Sequence, residues 1–263
     1  MINGLSNSIG SKTLRFTQHL GAASLLVTQV VREIKRRPFH ITLIVEQVYH
    51  IGIKSIGITF VTALSTGMVM SLQFGLGLEK FGGKLYIPKI VSLSIVREIA
   101  PVFCSLMLAA RVGAGIASEL GSMKVTQQID AMRALGTSPI KRIVIPRILA
   151  ALITVPLLCI FGNLLGIFGA LVVGTFELGL DPRFFLQKVL TTISFTDYFT
   201  GLAKTFFFAF FISVTACYFG LNVKGGTQDV GSATTKAVVT SSILVLIGDF
   251  FLTKALFVAF ERW

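Results

Sequence analysis

Apolar runs long enough to cross a bilayer, about 20 residues each, recur near Ile56 to Leu78, Ile87 to Ala110, Ile148 to Phe176, Tyr198 to Leu221 and Val238 to Phe260. The pattern predicts an all-α integral membrane protein with about five transmembrane helices. Two weaker segments precede them. The run from Phe16 to Val31 is broken by Gln18, His19 and Gln29 and is too short to span, so it reads as an amphipathic helix lying in the interface. After Pro38 a second helical pattern starts at Phe39, with Glu46, His50 and Lys54 forming a four-residue polar stripe that leads into the first span. Residues 1–54 are therefore interfacial or elbow helices, residues 56–263 carry the spans, and the whole is one membrane domain. Between the second and third spans lies ELGSMKVTQQIDAMRALGTSP, Glu119 to Pro139, polar yet compatible with a helix. Ile129, Met132 and Leu135 repeat every three residues with Ala131 beside them, while Lys124, Gln127, Gln128 and Arg133 lie elsewhere. A short amphipathic helix held at the membrane surface can plug into a partner; the alternative is an inert surface connector.

Composition supports the membrane assignment. The chain is 53% hydrophobic, with mean hydropathy +0.80. Its 24 Lys and Arg against 12 Asp and Glu give a net charge of +12. The bases collect beside apolar spans, as Arg32, Lys35, Arg36 and Arg37 do, so they answer anionic headgroups and topology rather than nucleic acid. Cys104, Cys159 and Cys217 are isolated within apolar runs and read as small hydrophobes. His19, His40 and His50 have no companion ligands, so no metal site is expected. The amino terminus does not read as a removable signal or transit peptide. Lys and Arg concentrate in the N-terminal region and between the second and third spans, which places both on the cytoplasmic side. The net acidic connection with Glu177, Asp181 and Asp197 fits the opposite side. No internal repeat is evident, which argues against an inverted-repeat carrier. The stripe Gly162, Gly166, Gly169, Ala170, Gly174 permits close helix approach, within one subunit or across a dimer seam.

Charges inside the spans are the next signal, because each costs about 2.5 to 3.5 kcal/mol at a helix centre. Lys204 in the fourth span and Asp249 in the fifth can pair if those antiparallel helices touch. Arg97 and Glu98 are adjacent, so they point about 100° apart and cannot share one partner cleanly. Either they face a pocket or they snorkel to the outer interface. Pro101, shortly after them, frees a backbone carbonyl and favours the pocket. The glycine-rich stretch GGTQDVGSATTK, Gly225 to Lys236, lacks the Gly-Lys-Ser/Thr ending of a phosphate loop and follows a membrane span rather than a strand, so the chain itself should not bind ATP. No constellation for enzymatic chemistry is present, and no cofactor is expected on this chain. A stand-alone channel or ion-coupled secondary transporter, relaying charge through Lys204, Asp249 and Glu98, is the competing function; a lipid-modifying membrane enzyme is a weaker one.

Several motifs together resemble the MlaE permeases, membrane subunits of ATP-binding cassette transporters that work with MCE-domain proteins in lipid movement. They are Arg97-Glu98-Ile99-Ala100-Pro101, Ala110-Arg111-Val112-Gly113, Glu119 with Gly121 and Met123, Gln128-Ile129-Asp130-Ala131-Met132, Gly136 with Pro139, and Gly231 with Ala233-Thr234-Thr235-Lys236-Ala237-Val238-Val239. The similarity runs from about Glu46 to the end, with Gln127 where the family usually has Glu. It implies a homodimer in a bacterial inner membrane, two separate ATPase subunits that use the ATP, a periplasmic MCE-domain ring, usually a small STAS-domain protein, and lipid, phospholipid foremost, as cargo. It implies a lipid-binding, outward-facing cavity between the two permease copies, lined by position with Met70, Gln73, Phe74, Gly77, Phe81, Arg97 and Glu98. The same similarity implies a coupling helix over about 119–136, with Glu119, Gly121, Met123, Gln127, Gln128, Asp130 and Gly136 in contact with the ATPase.

Overall fold

The computed structural model describes residues 2–34 and 41–260, and among them the chain is helical with no strand. Lys35, Arg36, Arg37, the helix start expected at Phe39, His40, and the tail residues Arg262 and Trp263 lie outside the described residues. Helix α1 runs Ile2–Ile34. Five long apolar helices follow, interrupted by two short ones: α2 Ile41–Glu79 and α3 Lys84–Val125, α4 Gln128–Ala134, α5 Ile140–Phe176, α6 Pro182–Thr192, α7 Phe195–Leu221 and α8 Thr227–Ala259. The five long ones meet the length and hydropathy needed to cross a bilayer. The protein is a multi-pass membrane protein.

The elbow and the first span form one bent helix. Glu46 and His50 lie before the bend at Gly52, where a tight 3₁₀ turn over Ile53–Ser55 joins the halves. A Cβ at Gly52 would sit 2.7 Å from the Val48 carbonyl and 3.1 Å from Thr154 Cγ2, so this turn needs glycine. α1 docks on the start of α5 and on α7, with Leu26 and Val30 buried, and Ser138 Oγ donates to Glu33 Oε2 at 2.6 Å.

Burial identifies the centre of the bundle. In its most apolar stretch α5 is 72% buried, against 22% for α2 and 6% for α8. The glycine stripe on α5 explains how neighbours reach it. Side chains at Gly67 of α2 or Gly169 of α5 would overlap the backbone of the facing helix, at Gly166 and Leu64 respectively. Small residues there replace side-chain packing with close backbone approach. The stripe thus serves packing within the chain, the first of its two sequence readings. α8 lies at the periphery, packed on α7 and α3.

α3 is continuous through two π-turns, Ile95–Ile99 and Ala109–Gly113. Each holds an arginine, and π-turns inside α-helices are frequent at functional sites. The helix then continues to Val125, so the expected single coupling helix over 119–136 is corrected: Glu119, Gly121 and Met123 belong to the end of the second span. The break comes at Gln127, whose φ of 60° is left-handed, and the separate α4 carries only Gln128 and Asp130 of the expected set.

Candidate functional site

The polar centre of the molecule is built on the first π-turn of α3. Pro101 has no N–H to give the carbonyl of Arg97, four residues back. Lys204 Nζ from α7 fills that vacancy at 3.2 Å. The same ammonium donates to Glu98 Oε2 at 2.6 Å and to Asp249 Oδ1 of α8 at 3.1 Å. All three donors of the Lys204 ammonium therefore have oxygen partners, and its side chain is only 3% exposed. The Lys204 and Asp249 pair expected from sequence is in contact, and Glu98 joins it. Thr253 adds a weaker contact to Glu98 at 3.4 Å.

Arg97, turned about 100° from Glu98 on the helix, takes a different partner. Its Nε donates to Asp197 Oδ1 at 2.7 Å, and its Nη2 binds the same oxygen. Asp197 also closes the start of α7: Oδ2 accepts from the Ser194 amide at 3.0 Å and from its hydroxyl at 2.8 Å, while Ser194 Oγ accepts from the Asp197 amide at 3.2 Å. This reciprocal cap fixes the carboxylate that receives the arginine. Sequence reasoning placed Asp197 in an acidic outer connection and missed its role. The pattern Ser194-x-x-Asp197 ahead of an apolar run was the available signal.

Arg97, Glu98, Asp197, Lys204 and Thr253 line a recess of about 180 Å³ walled on its apolar side by Leu256 and Phe257. The Arg97 side chain is 48% exposed whereas Asp197 is 7% exposed, so guanidinium N–H groups not spent on Asp197 face the opening. Glu98 is 41% exposed. An anion can bind at Arg97 and a cation at Glu98 without breaking the buried pairs.

The remaining lining residues fall elsewhere in the chain. Met70 and Phe74 pack inward against a cluster containing Ile87 and Val91, while Gln73 and Gly77 lie exposed on α2 and Phe81 lies exposed in the turn that follows it. Within one chain α2 does not reach the Arg97 recess, whose walls come from α3, α7, α8 and the α6–α7 connection. Within one chain the residues of the expected lining lie on two surfaces, whereas the resemblance implies a cavity between two copies.

The predicted coupling residues cluster at the opposite end of α3. Glu119 Oε1 pairs with Arg147 Nη2 of α5 at 2.7 Å, with Arg147 buried. Gly121 packs closely under Val223 of the α7–α8 connection and Val230 in the first turn of α8. Met123 is half-buried against the core. Gln127 and Gln128 are exposed. Asp130 accepts from Lys124 Nζ at 2.8 Å, and this hydrogen bond, opposed by desolvation and aided by the charges of Lys124 and Arg133, lowers its carboxyl below the ordinary 3.8. Gly136 takes φ 72°, and its amide and that of Thr137 bond back to Arg133 and Met132 at 3.0 and 2.9 Å, a left-handed helix stop that favours glycine. Of the apolar face on α4, Ile129 is fully buried and Leu135 is 82% exposed. The helix is pinned on one side and free on the other.

Against this geometry, the family described as Permease MlaE matches residues 44–255. The chain belongs to the MlaE permease family. A Rickettsia felis protein named a probable ABC transporter permease is 39% identical over 98% of this chain and 99% of its own length. The intermembrane phospholipid transport system permease MlaE of Haemophilus influenzae is 30% identical, over 98% of this chain and 99% of its own length. The chloroplastic trigalactosyldiacylglycerol 1 protein of Arabidopsis thaliana is 30% identical over 89% of this chain and 67% of its own. This MlaE-family permease therefore shares its full span, not a single motif, with ABC permeases.

Proposed function

We propose that this chain is the membrane subunit of an ATP-driven transporter that moves phospholipid between the inner and outer membranes of a bacterium, with the inner membrane as its seat. The observation that carries the reading is the half-exposed Arg97, fixed by buried Asp197, at the mouth of a recess that also holds Glu98. A glycerophospholipid brings an anionic phosphate for Arg97 and acyl chains for apolar walls. Where the headgroup is an amine, Glu98 answers it. The name of the Haemophilus relative supports phospholipid as cargo.

ATP is hydrolysed on a separate ATPase subunit, and this chain binds no cofactor. The exposed side of α4, together with the end of α3, suits the role of a lever: force on Leu135 and Ala131 passes through buried Ile129 into the bundle, and through Glu119 and Arg147 from α3 to α5. Two copies would bring the exposed faces of α2 and α8 together, adding Gln73, Gly77 and Phe81 of one surface to the cavity. An MCE-domain protein would receive or deliver lipid on the periplasmic side, with a STAS-domain protein as a further companion.

Native mass spectrometry of the extracted complex tests this reading. Arg97→Gln is expected to lower the retained phospholipid, and an unchanged lipid complement would contradict the site. The ion-coupled reading fits less well, because a Lys204 ammonium held by three oxygens acts as a strut rather than a moving relay. Ion flux through the reconstituted chain without an ATPase would favour it.

A further inference from the structure

The second π-turn of α3 carries Arg111, and we propose that its recess is a separate binding site for a zwitterionic phospholipid headgroup on the cytoplasmic side of the membrane. The inference rests on the phospholipid reading above. Arg97, Arg111, Arg147 and Lys204 are cations set into the bundle. Among the described residues, Arg111 alone of the four has no carboxylate partner; its guanidinium donates only to the neutral Ser55 Oγ. A partly buried cation left in that state is costly unless an anion reaches it.

The space to accept one is present. Arg111, Glu46, His50, Gly115, Ile116 and Glu119 line a recess of about 350 Å³, larger than the Arg97 recess. Glu119 is engaged by Arg147 at 2.7 Å, and His50 Nδ1 by Lys54 at 3.0 Å. Glu46 has no ion pair among the described residues and does not meet Arg111. An unspent carboxylate and an unspent guanidinium face one cavity without touching. That arrangement fits a phosphodiester bearing a primary ammonium, phosphate on Arg111 and amine on Glu46. Nothing lies within 4 Å of a Cβ built on Gly115, so the wall beside the arginine is open.

Position supports a second station rather than an extension of the first. Arg97 and Arg111 are separated by about 21 Å along a helix rising 1.5 Å per residue, within a hydrocarbon core of about 30 Å. Regular helical phase would return them to within about 40° of each other. The extra residue of a π-turn shifts that phase, and the two recesses open toward different neighbours, α7 and α8 for Arg97 but the first part of α2 for Arg111.

The test uses the permease with its partner subunits in nanodiscs of phosphatidylethanolamine and phosphatidylglycerol, reading retained lipid by native mass spectrometry. Arg111→Gln is expected to lose one lipid population while the Arg97-dependent one persists. Gly115→Leu, which projects apolar bulk into the recess without changing charge and whose Cβ has open space, is expected to lose the same population and covers the case in which the arginine variant fails to fold. Glu46→Gln is expected to lower phosphatidylethanolamine at that site and to spare phosphatidylglycerol. Full lipid retention in both Arg111→Gln and Gly115→Leu, with loss in Arg97→Gln, would overturn this inference and leave the proposed function standing. Full retention in all three would overturn both. Inorganic phosphate whose ³¹P signal broadens with wild type and not with Arg111→Gln, at equal lipid content, would assign the recess to a soluble anion and overturn the lipid assignment.

Discussion

A single ammonium organises the polar centre. Lys204 stands between Glu98, Asp249 and the Arg97 carbonyl, so neutralising it leaves the mostly buried Asp249 unpaired and takes the ammonium from the half-exposed Glu98. Lys204→Met should destabilise the extracted protein by about 3–5 kcal/mol, the range for breaking a buried ion pair, and Asp249→Asn in the same chain should recover part of the loss. Thermal unfolding in detergent checks both; a single variant as stable as wild type would show that the pairing carries no weight. Asp130 makes a different kind of prediction. Its carboxyl is lowered by the Lys124 hydrogen bond, so the contact contributes fully above the ordinary carboxylate value and is lost only as pH falls through the lowered one. A ¹³C carboxyl titration should find a midpoint below 3.8; a midpoint at or above it would mean that α4 is not tethered there. Arg97, Glu98, Lys204 and Asp249 were legible in the sequence because charges in apolar runs are conspicuous. Asp197 was not, because hydropathy assigns a residue at the start of a span to the loop before it, and only the cap with Ser194 reveals that its oxygens turn inward.

Helices reveal themselves by composition, but their ends and faces depend on neighbours. The five spans stand where the apolar runs predict them, yet α2 begins well before Ile56 and α3 runs on past Ala110. Polar residues in those extensions hide the helix from a hydropathy reading, while partners in the fold sustain it: Arg147 holds Glu119, and Ser55 holds Arg111. The break after α3 was also illegible, since Gln127 takes a left-handed conformation with neither glycine nor proline to mark it. Gly136 is the opposite case, a visible glycine at a left-handed stop. Gly136→Val should cost about 1–2 kcal/mol for the misfit backbone and weaken the link between ATP hydrolysis and transport more than it weakens assembly. Comparing ATPase and lipid-transfer rates of the purified complex checks this, and proportional rates like those of wild type would contradict it. On the α2–α5 seam, Gly169→Val places a branched side chain against the Leu64 backbone. It should abolish accumulation of folded protein in membranes, whereas Gly57→Val, where a Cβ meets nothing within 4 Å, should not.

At the scale of the molecule, the first π-turn inside α3 carries the Arg97 recess and the far end of the helix carries the joint with α5 and the short α4. The bundle between them is tightly packed around α5, so a displacement at the joint moves helices as bodies rather than dissipating in side chains. Exposed apolar faces on α2 and α8 remain for lipid or a second copy. Family membership covers the span from residue 44 to 255, and the structure adds how a proline, a π-turn and a capped aspartate together present one arginine. The central claim is that this arginine receives a phospholipid moved by an external ATPase. Transfer of fluorescent phospholipid by the reconstituted complex, with and without ATP, tests it most directly. Wild type should transfer lipid only with ATP, and Arg97→Gln should lose most of that transfer while its ATPase still turns over. Transfer by the isolated chain without ATP, or an Arg97→Gln rate equal to wild type, would contradict the account.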